Sequence, residues 1–208
     1  MTMRLLVLGA TGHTGAQVVD VALARGHQVT AFVRSPHKIE RRDAGLTVVA
    51  GELQRADGLA QALAGHDAVV STLGPARREY FRPGHFMTEC AATTVAAMKT
   101  AGVARLGILS AAVLFGGPGL GMAFFGWMLR HHARDLRDME ALVRATPFEW
   151  TIARPPRLVQ SASERYRSRR DGLPPGKATV SFRALAAFLV DAVERREEAR
   201  QTVGLVGA

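Results

Sequence analysis

The stretch LVLGATGHTG, residues 6–15, constrains this chain more than any other. An apolar run ends in three glycines spaced three apart, Gly9, Gly12 and Gly15, and a helical pattern begins at once. A strand, a glycine turn and a helix in that order form the phosphate-holding element of a dinucleotide fold. The first glycine permits a tight turn, the second lets backbone approach a pyrophosphate, and the third lets the helix pack close to the strand. The helix start then faces the phosphates with free N–H groups and the positive end of its dipole. Thr11 and Thr14 add hydroxyl donors, and His13 between them completes the cradle. The competing reading is a turn that needs its glycines only for its own geometry.

Strands and helices alternate through the rest of the chain. Strands are expected at Arg4–Leu8, Gln28–Val33, Leu46–Ala50, Ala68–Leu73, Arg105–Ser110 and Trp150–Ala153. Helices are expected near Thr14–Arg25, Ala56–Leu63, Gly84–Ala101 and Leu129–Ala145. This rhythm implies βαβ units and an α/β, doubly wound parallel sheet, a Rossmann fold with both faces covered. At 208 residues the chain suits a single domain. The last fifty residues read as short strands at Arg165–Arg169, Ala178–Ser181 and Thr202–Val206 with a helix at Arg183–Arg195, packed over the strand ends.

The end of the second strand selects among dinucleotides. An acidic residue there would hold a ribose 2′-hydroxyl, whereas an arginine suits a 2′-phosphate. The chain reads AFVRSPHK, with Arg34, Ser35 and Lys38, and has no carboxylate between Asp20 and Glu40. The planar fork of arginine pairs well with phosphate oxygens, so NADP(H) is expected rather than NAD(H).

Composition limits the setting. A net charge of +9 favours anionic ligands. One cysteine, Cys90, excludes an internal disulfide and fits a reducing cytoplasm. MTMRLLVLGATG runs straight into the glycine turn, without the pattern of a signal peptide. Residues 106–129 carry no charge, but Gly116, Gly117, Gly119, Gly121 and Gly126 with Pro118 interrupt the stretch, which reads as strand, loop and helix start rather than a membrane span.

These motifs together carry a resemblance. GATGHTG, VRSPHK, GELQ, VVSTLG, AAMKTAGVARLGILSA and WTIARPPRL are similar to the NAD(P)H-binding atypical short-chain dehydrogenase (NmrA-like) family, most of all its branch of biliverdin and flavin reductases. The resemblance implies that Gly9, Thr11, Gly12, Thr14 and Gly15 cradle pyrophosphate and that Arg34 and Ser35 hold the 2′-phosphate. It implies that Glu52 and Leu53 flank the adenine, that Leu73 and Gly74 line the cofactor, and that Ser110 and Ala111 lie by the nicotinamide. Pro155, Pro156, Arg157 and Leu158 would close the far side. The reductase branch has a histidine after the two prolines, where this chain has Arg157.

Ordinary short-chain dehydrogenases protonate an alkoxide with a Tyr-x-x-x-Lys pair. Here Tyr80 is followed four residues later by Gly84 and Tyr166 by Arg170, and LRHHARDLRDMEALVRA holds no tyrosine. Hydride transfer to a flavin needs no such pair, because the developing charge spreads over the ring and water can protonate it. The protein's work is then proximity and orientation. Ser110 is the candidate catalytic residue, and Phe115, Phe124, Phe125 and Trp127 form a candidate wall or lid. His131 and His132 are adjacent on a helix and diverge, so they read as solvated histidines rather than a paired metal site. Arg165, Arg167 and Arg169 share one face of a strand beside Tyr166, and read as a solvated basic edge rather than a nucleic-acid surface.

The expected protein is a cytoplasmic NADPH-dependent oxidoreductase, monomeric or weakly dimeric. It passes hydride to a small planar anionic acceptor such as a flavin, quinone or linear tetrapyrrole, and has no metal. A non-catalytic NADP(H)-binding redox sensor acting through a protein partner fits the same residues.

Overall fold

The computed structural model describes residues 2–53, 56–75, 80, 82–116 and 127–208. Among the described residues ten strands form two sheets: β1 (Arg4–Leu8), β2 (Gln28–Val33), β3 (Leu46–Ala50), β4 (Ala68–Ser71), β5 (Arg105–Leu109), β6 (Glu149–Arg154), β7 (Arg157–Val159), β8 (Tyr166–Arg170), β9 (Thr179–Ser181) and β10 (Gln201–Gly207). Eight of them pair in the order β3-β2-β1-β4-β5-β6-β10-β8. Every pairing in this sheet is parallel except β10 with β8 at the edge. The expected doubly wound sheet is the one found.

Five described helices cover it: α1 (His13–Ala24), α2 (Ala56–Leu63), α3 (Phe86–Ala101), α4 (Arg130–Arg144) and α5 (Phe182–Arg195). Successive residues of a strand point to opposite faces, so one strand serves two cores. Leu5 and Val7 of β1 enter a cluster with Val18 and Ala22 of α1 and Leu185 and Leu189 of α5. Leu6 and Leu8 enter the other, with Leu59 and Leu63 of α2, Met98 of α3, and Leu136 and Met139 of α4. All four β1 residues are wholly buried, which is why RLLVL reads as a continuous apolar run instead of an alternating one.

The chain's C-terminal part departs from the sequence expectation. α5 does not lie over the strand ends. It packs beside α1 on one face of the sheet, and the seven residues Ala184–Val190 are all buried. β10 pairs parallel with β6, so α5 is the crossover helix that returns the chain to the sheet. A strand at Arg157–Val159, after the double proline, was not expected. It pairs parallel with β9 in a two-stranded sheet, and three residues are too few to show a period.

Strand and helix ends follow from local bonds. β4 stops at Ser71, two residues before the expected end, opposite the last residue of β1, and the Thr72 amide and hydroxyl both donate to the Leu8 carbonyl at 3.0 Å. The start of α3 has no capping side chain of its own. Asp135, buried on α4, accepts from the amides of Met87 at 2.8 Å and Thr88 at 3.0 Å and from the Thr88 hydroxyl at 2.7 Å. A carboxylate at a helix N-terminus satisfies free amides and complements the dipole. Among the described residues no helix is long and apolar enough to cross a membrane. The uncharged stretch enters β5 at its start, and its residues 117–126 lie outside the described residues.

Candidate cofactor site

Parallel strands end on one side of the sheet, and the order reverses beside β1, where β2 and β3 continue one way and β4, β5 and β6 the other. Dinucleotides bind across such a switch point, one mononucleotide on each half. The residues expected to bind the cofactor, from Gly9 to Arg157, follow the C-terminal ends of these six strands.

At the centre, Gly9 has φ +81°, in the left-handed region, and its carbonyl accepts the Gly12 amide at 2.9 Å. The Gly12 amide is therefore closed inside the turn. The amides of His13, Thr14 and Gly15, in the first turn of α1, have no carbonyl partner within the helix and no acidic side chain in that turn. A methyl at Gly15 would fall 2.1 Å from the Gly9 oxygen and 2.8 Å from the Thr72 hydroxyl, so helix and turn meet only with glycine there. Gly12 differs: its φ of −87° is ordinary, it is exposed, and a methyl would meet only the Gly9 oxygen at 3.3 Å. The protein's own packing does not require glycine at 12, whereas close approach of a ligand to the turn does. Amides without a partner in the helix, around an open glycine, fit a pyrophosphate. Thr11 is exposed at the lip, and Thr14 is buried beneath it at 6% exposure. His13 is exposed and stacks on Phe182 at the start of α5, ring centroids 5.2 Å apart. Thr72, which fits against both Gly9 and Gly15, was not singled out from the sequence. The only signal for it was its place in VVSTLG.

On the β2–β3 side, Arg34 and half-buried Ser35 follow β2 directly, with Lys38 exposed one short turn on. Arg34 is exposed and has no ion pair among the described residues, whereas nearby Arg41 is bound to Asp20 and Asp43. Glu52 is exposed and Leu53 half-buried just beyond β3, the latter against the α2–α4 core.

On the β4–β6 side, the Ser110 amide donates to the Ala153 carbonyl at 2.8 Å and the Ala112 amide to the Pro155 carbonyl at 2.9 Å. These bonds fix Ser110 and Ala111 beside the double proline, of which Pro155 is buried and Pro156 half-buried, while Arg157 is exposed where β7 begins. Leu73 is half-buried and Gly74 exposed after β4.

Behind Ser110 lies a group that sequence reasoning missed. Ser110 Oγ donates to Glu140 Oε1 of α4 at 2.6 Å. Arg154, at the end of β6, donates to both oxygens of that carboxylate, Nε to Oε1 at 2.8 Å and Nη2 to Oε2 at 2.6 Å. Arg144 Nη2 donates to Oε2 at 3.0 Å and to Thr202 Oγ1 at 2.7 Å. The Glu140 side chain is 4% exposed. Burial alone would raise its pKa, but bonds from Arg154 and Ser110 and the charges of Arg154 and Arg144 outweigh it and hold the carboxyl below its usual range. The Arg154 guanidinium also lies 4.7 Å from the centroid of the Phe115 ring. Glu140 sits thirty residues from Ser110 in a helix rich in exposed charge, so nothing in the sequence sets it apart.

Other candidates sort clearly. Of the lid residues, Phe115 is half-buried under Arg154, Trp127 is exposed with the Arg130 guanidinium 4.9 Å from its centroid, and Phe124 and Phe125 lie outside the described residues. His131 and His132 were read as solvated. Instead they line a cavity of about 320 Å³ with Pro75, Arg82, His85 and Phe86. His132 is half-buried, its pKa lowered by that burial, with its ring 4.5 Å from Tyr80. Among the described residues no cluster fit to hold a metal exists. Burial raises the Tyr80 hydroxyl pKa, the opposite of what a neighbouring lysine does for a catalytic tyrosine. Tyr166 turns away from the basic edge: its hydroxyl donates to Asp191 at 2.6 Å and its ring meets Phe188 edge-on. It is therefore not available to stack on a base. Cys90 is buried, and burial pushes its thiol up to about 11, the state of an inert core cysteine.

A family model described as NAD(P)H-binding matches residues 9–196. A phenylcoumaran benzylic ether reductase from Ginkgo biloba is 35% identical over 83 residues, 36% of this chain and 27% of that protein. A photosystem II assembly factor from Synechocystis is 41% identical over 69 residues, 33% of this chain and 21% of that one. The chain thus spans less than a third of the length of either. A solved structure from Streptococcus pneumoniae, assigned as an NADH-flavin reductase, superposes with a TM-score of 0.78 at 21% identity, covering 99% of this chain and all of that one. At that identity the likeness is one of fold.

Proposed function

The chain belongs to the NAD(P)H-binding family, and from that premise we propose that it is an NADPH-dependent reductase passing hydride to a planar conjugated acceptor, a flavin foremost. The proposal rests on the Ser110–Glu140 bond. An ionised carboxylate only accepts hydrogen bonds, so the proton on Ser110 Oγ points into the protein at Glu140. The hydroxyl at the nicotinamide half of the site is then no acid for an alkoxide, and α4 supplies no tyrosine in its place. An acceptor that delocalises the incoming charge and takes its proton from water needs neither.

Bound NADPH supplies a hydride from its nicotinamide ring. The chain's residues bind and orient it: the amides of His13, Thr14 and Gly15 meet the pyrophosphate, with Thr11 beside them. Arg34 and Ser35 take the 2′-phosphate, and Lys38 adds positive charge. Glu52 and Leu53 flank the adenine, while Leu73, Gly74, Ser110, Ala111, Pro155, Pro156 and Arg157 border the reacting end. The chain's surplus of +9 draws in both the cofactor and an anionic acceptor.

The test is loss of reduced-nicotinamide absorbance with NADPH or NADH and FMN, riboflavin or a quinone in turn. Saturable NADPH oxidation, reduced in Arg34→Ala, is the expected result. Tight NADPH binding without turnover on any acceptor would replace this reading with a redox sensor, which the missing acid fits equally.

A further inference from the structure

Glu140 has four acceptor positions and all four are filled: Ser110 and Arg154 Nε on one oxygen, Arg154 Nη2 and Arg144 Nη2 on the other. Two guanidiniums clamp the carboxylate from β6 and from its own helix, and Thr202 of β10 steadies the second of them. The carboxylate cannot rotate without breaking a bidentate pair, so the direction of the serine hydroxyl is set by the protein before any ligand arrives.

Ser110 keeps 6% of its surface accessible, at the end of β5, on the nicotinamide half of the switch point. With its proton committed to Glu140, Oγ has only lone pairs left to offer a ligand. The N–H groups of a nicotinamide are those of its carboxamide. We propose that Glu140 is a positioning residue that fixes Ser110 as a hydrogen-bond acceptor for the carboxamide of the cofactor, so that Ser110 orients the nicotinamide and does not protonate the acceptor. The inference rests on the reading of the β5 end as the nicotinamide end of the site.

The measurement is the affinity of NADP⁺ relative to its 3-acetylpyridine analogue, in which a methyl replaces the carboxamide NH2. Both are read by competition against NADPH fluorescence, on the full chain. Wild type should favour NADP⁺ by about three- to tenfold, the worth of one hydrogen bond. The ratio should fall to about one in Ser110→Ala and in Glu140→Gln, whose amide turns the serine proton outward. A wild-type ratio near one overturns the proposal. So does a ratio lost in Ser110→Ala but kept in Glu140→Gln, because Ser110 would then act without Glu140. Should Glu140→Gln fail to fold, Glu140→Asp keeps the charge for the arginines but draws the carboxylate back from Ser110. It must lower the ratio, and full retention overturns the proposal. Binding and turnover separate the two readings: a preserved ratio in a protein that oxidises no NADPH removes the reductase and leaves the positioning role standing.

Discussion

Alanine at Gly12 and at Gly15 should have opposite consequences, and the contrast separates a ligand cradle from a turn that merely needs glycine. At Gly15 the added methyl lies 2.1 Å from the Gly9 oxygen and 2.6 Å from its carbonyl carbon, where ordinary contact begins at 3.4 Å. The obstacle is backbone, so the turn and α1 must part by about an ångström. Overpacking this deep costs about 2–3 kcal/mol, the upper end of the usual range, offset by about 1 kcal/mol of helix propensity gained by alanine. For a chain of this size each kcal/mol moves Tm by about 2–4 °C, so Gly15→Ala should melt roughly 2–8 °C lower. At Gly12 the methyl only grazes the Gly9 oxygen at 3.3 Å and φ is already ordinary, so the loss is that of a poorer N-cap, under about 1 kcal/mol. That methyl stands where a pyrophosphate would approach, and NADPH affinity should fall about tenfold or more. Differential scanning fluorimetry and NADPH fluorescence titration on both variants decide it. A Gly12→Ala protein that binds NADPH as tightly as wild type would refute the cradle, and an unshifted Tm in Gly15→Ala would refute the packing argument.

Arg34→Ala should raise the KM for NADPH about ten- to a hundredfold, the worth of a charge-assisted bond to phosphate, and leave the KM for NADH unchanged in steady-state assays. Tyr166→Phe removes the bond to Asp191 from a half-buried ring and should lower Tm by about 2–6 °C, with NADPH affinity untouched. Glu140 has a folded pKa below its ordinary 4.5. The stability it adds is therefore complete above pH 4.5 and is lost as pH falls through the lower folded value. Urea midpoints measured against pH should decline over that window in wild type and show a shallower decline in Glu140→Gln. Cys90, raised to about 11, should resist thiol reagents at pH 8 in the folded protein and react fully in urea. Rapid labelling without denaturant would contradict its burial.

The elements that positioned the site were legible because they were local. RLLVL, QVTAFV and LTVVA are apolar runs of strand length bounded by turns, and each is a strand with the ends expected of it. Gly9, Gly12 and Gly15 stand within seven residues of one another, so their geometry is a property of one turn. Arg34 is a candidate by its place after β2, again a local relation. The features that were not legible share the opposite character. α5 was expected as a peripheral helix, yet the burial of Ala184–Val190 depends on α1, a sheet face and a crossover to β10 that no window of sequence contains. Tyr166 lies among arginines in the sequence, but strand pairing turns it inward to Asp191, twenty-five residues on.

Sequence alone determined the class of fold and the glycine turn, and set the expectation of a 2′-phosphate, because period, glycine spacing and the sign of a charge survive without a partner. Tertiary structure decided what Ser110 can do. Its proton goes to Glu140, whose charge is held by Arg154 and Arg144, and these four residues come from the turn after β5, from α4 and from β6. A hydroxyl is donor or acceptor according to its neighbour, and only folding chooses the neighbour.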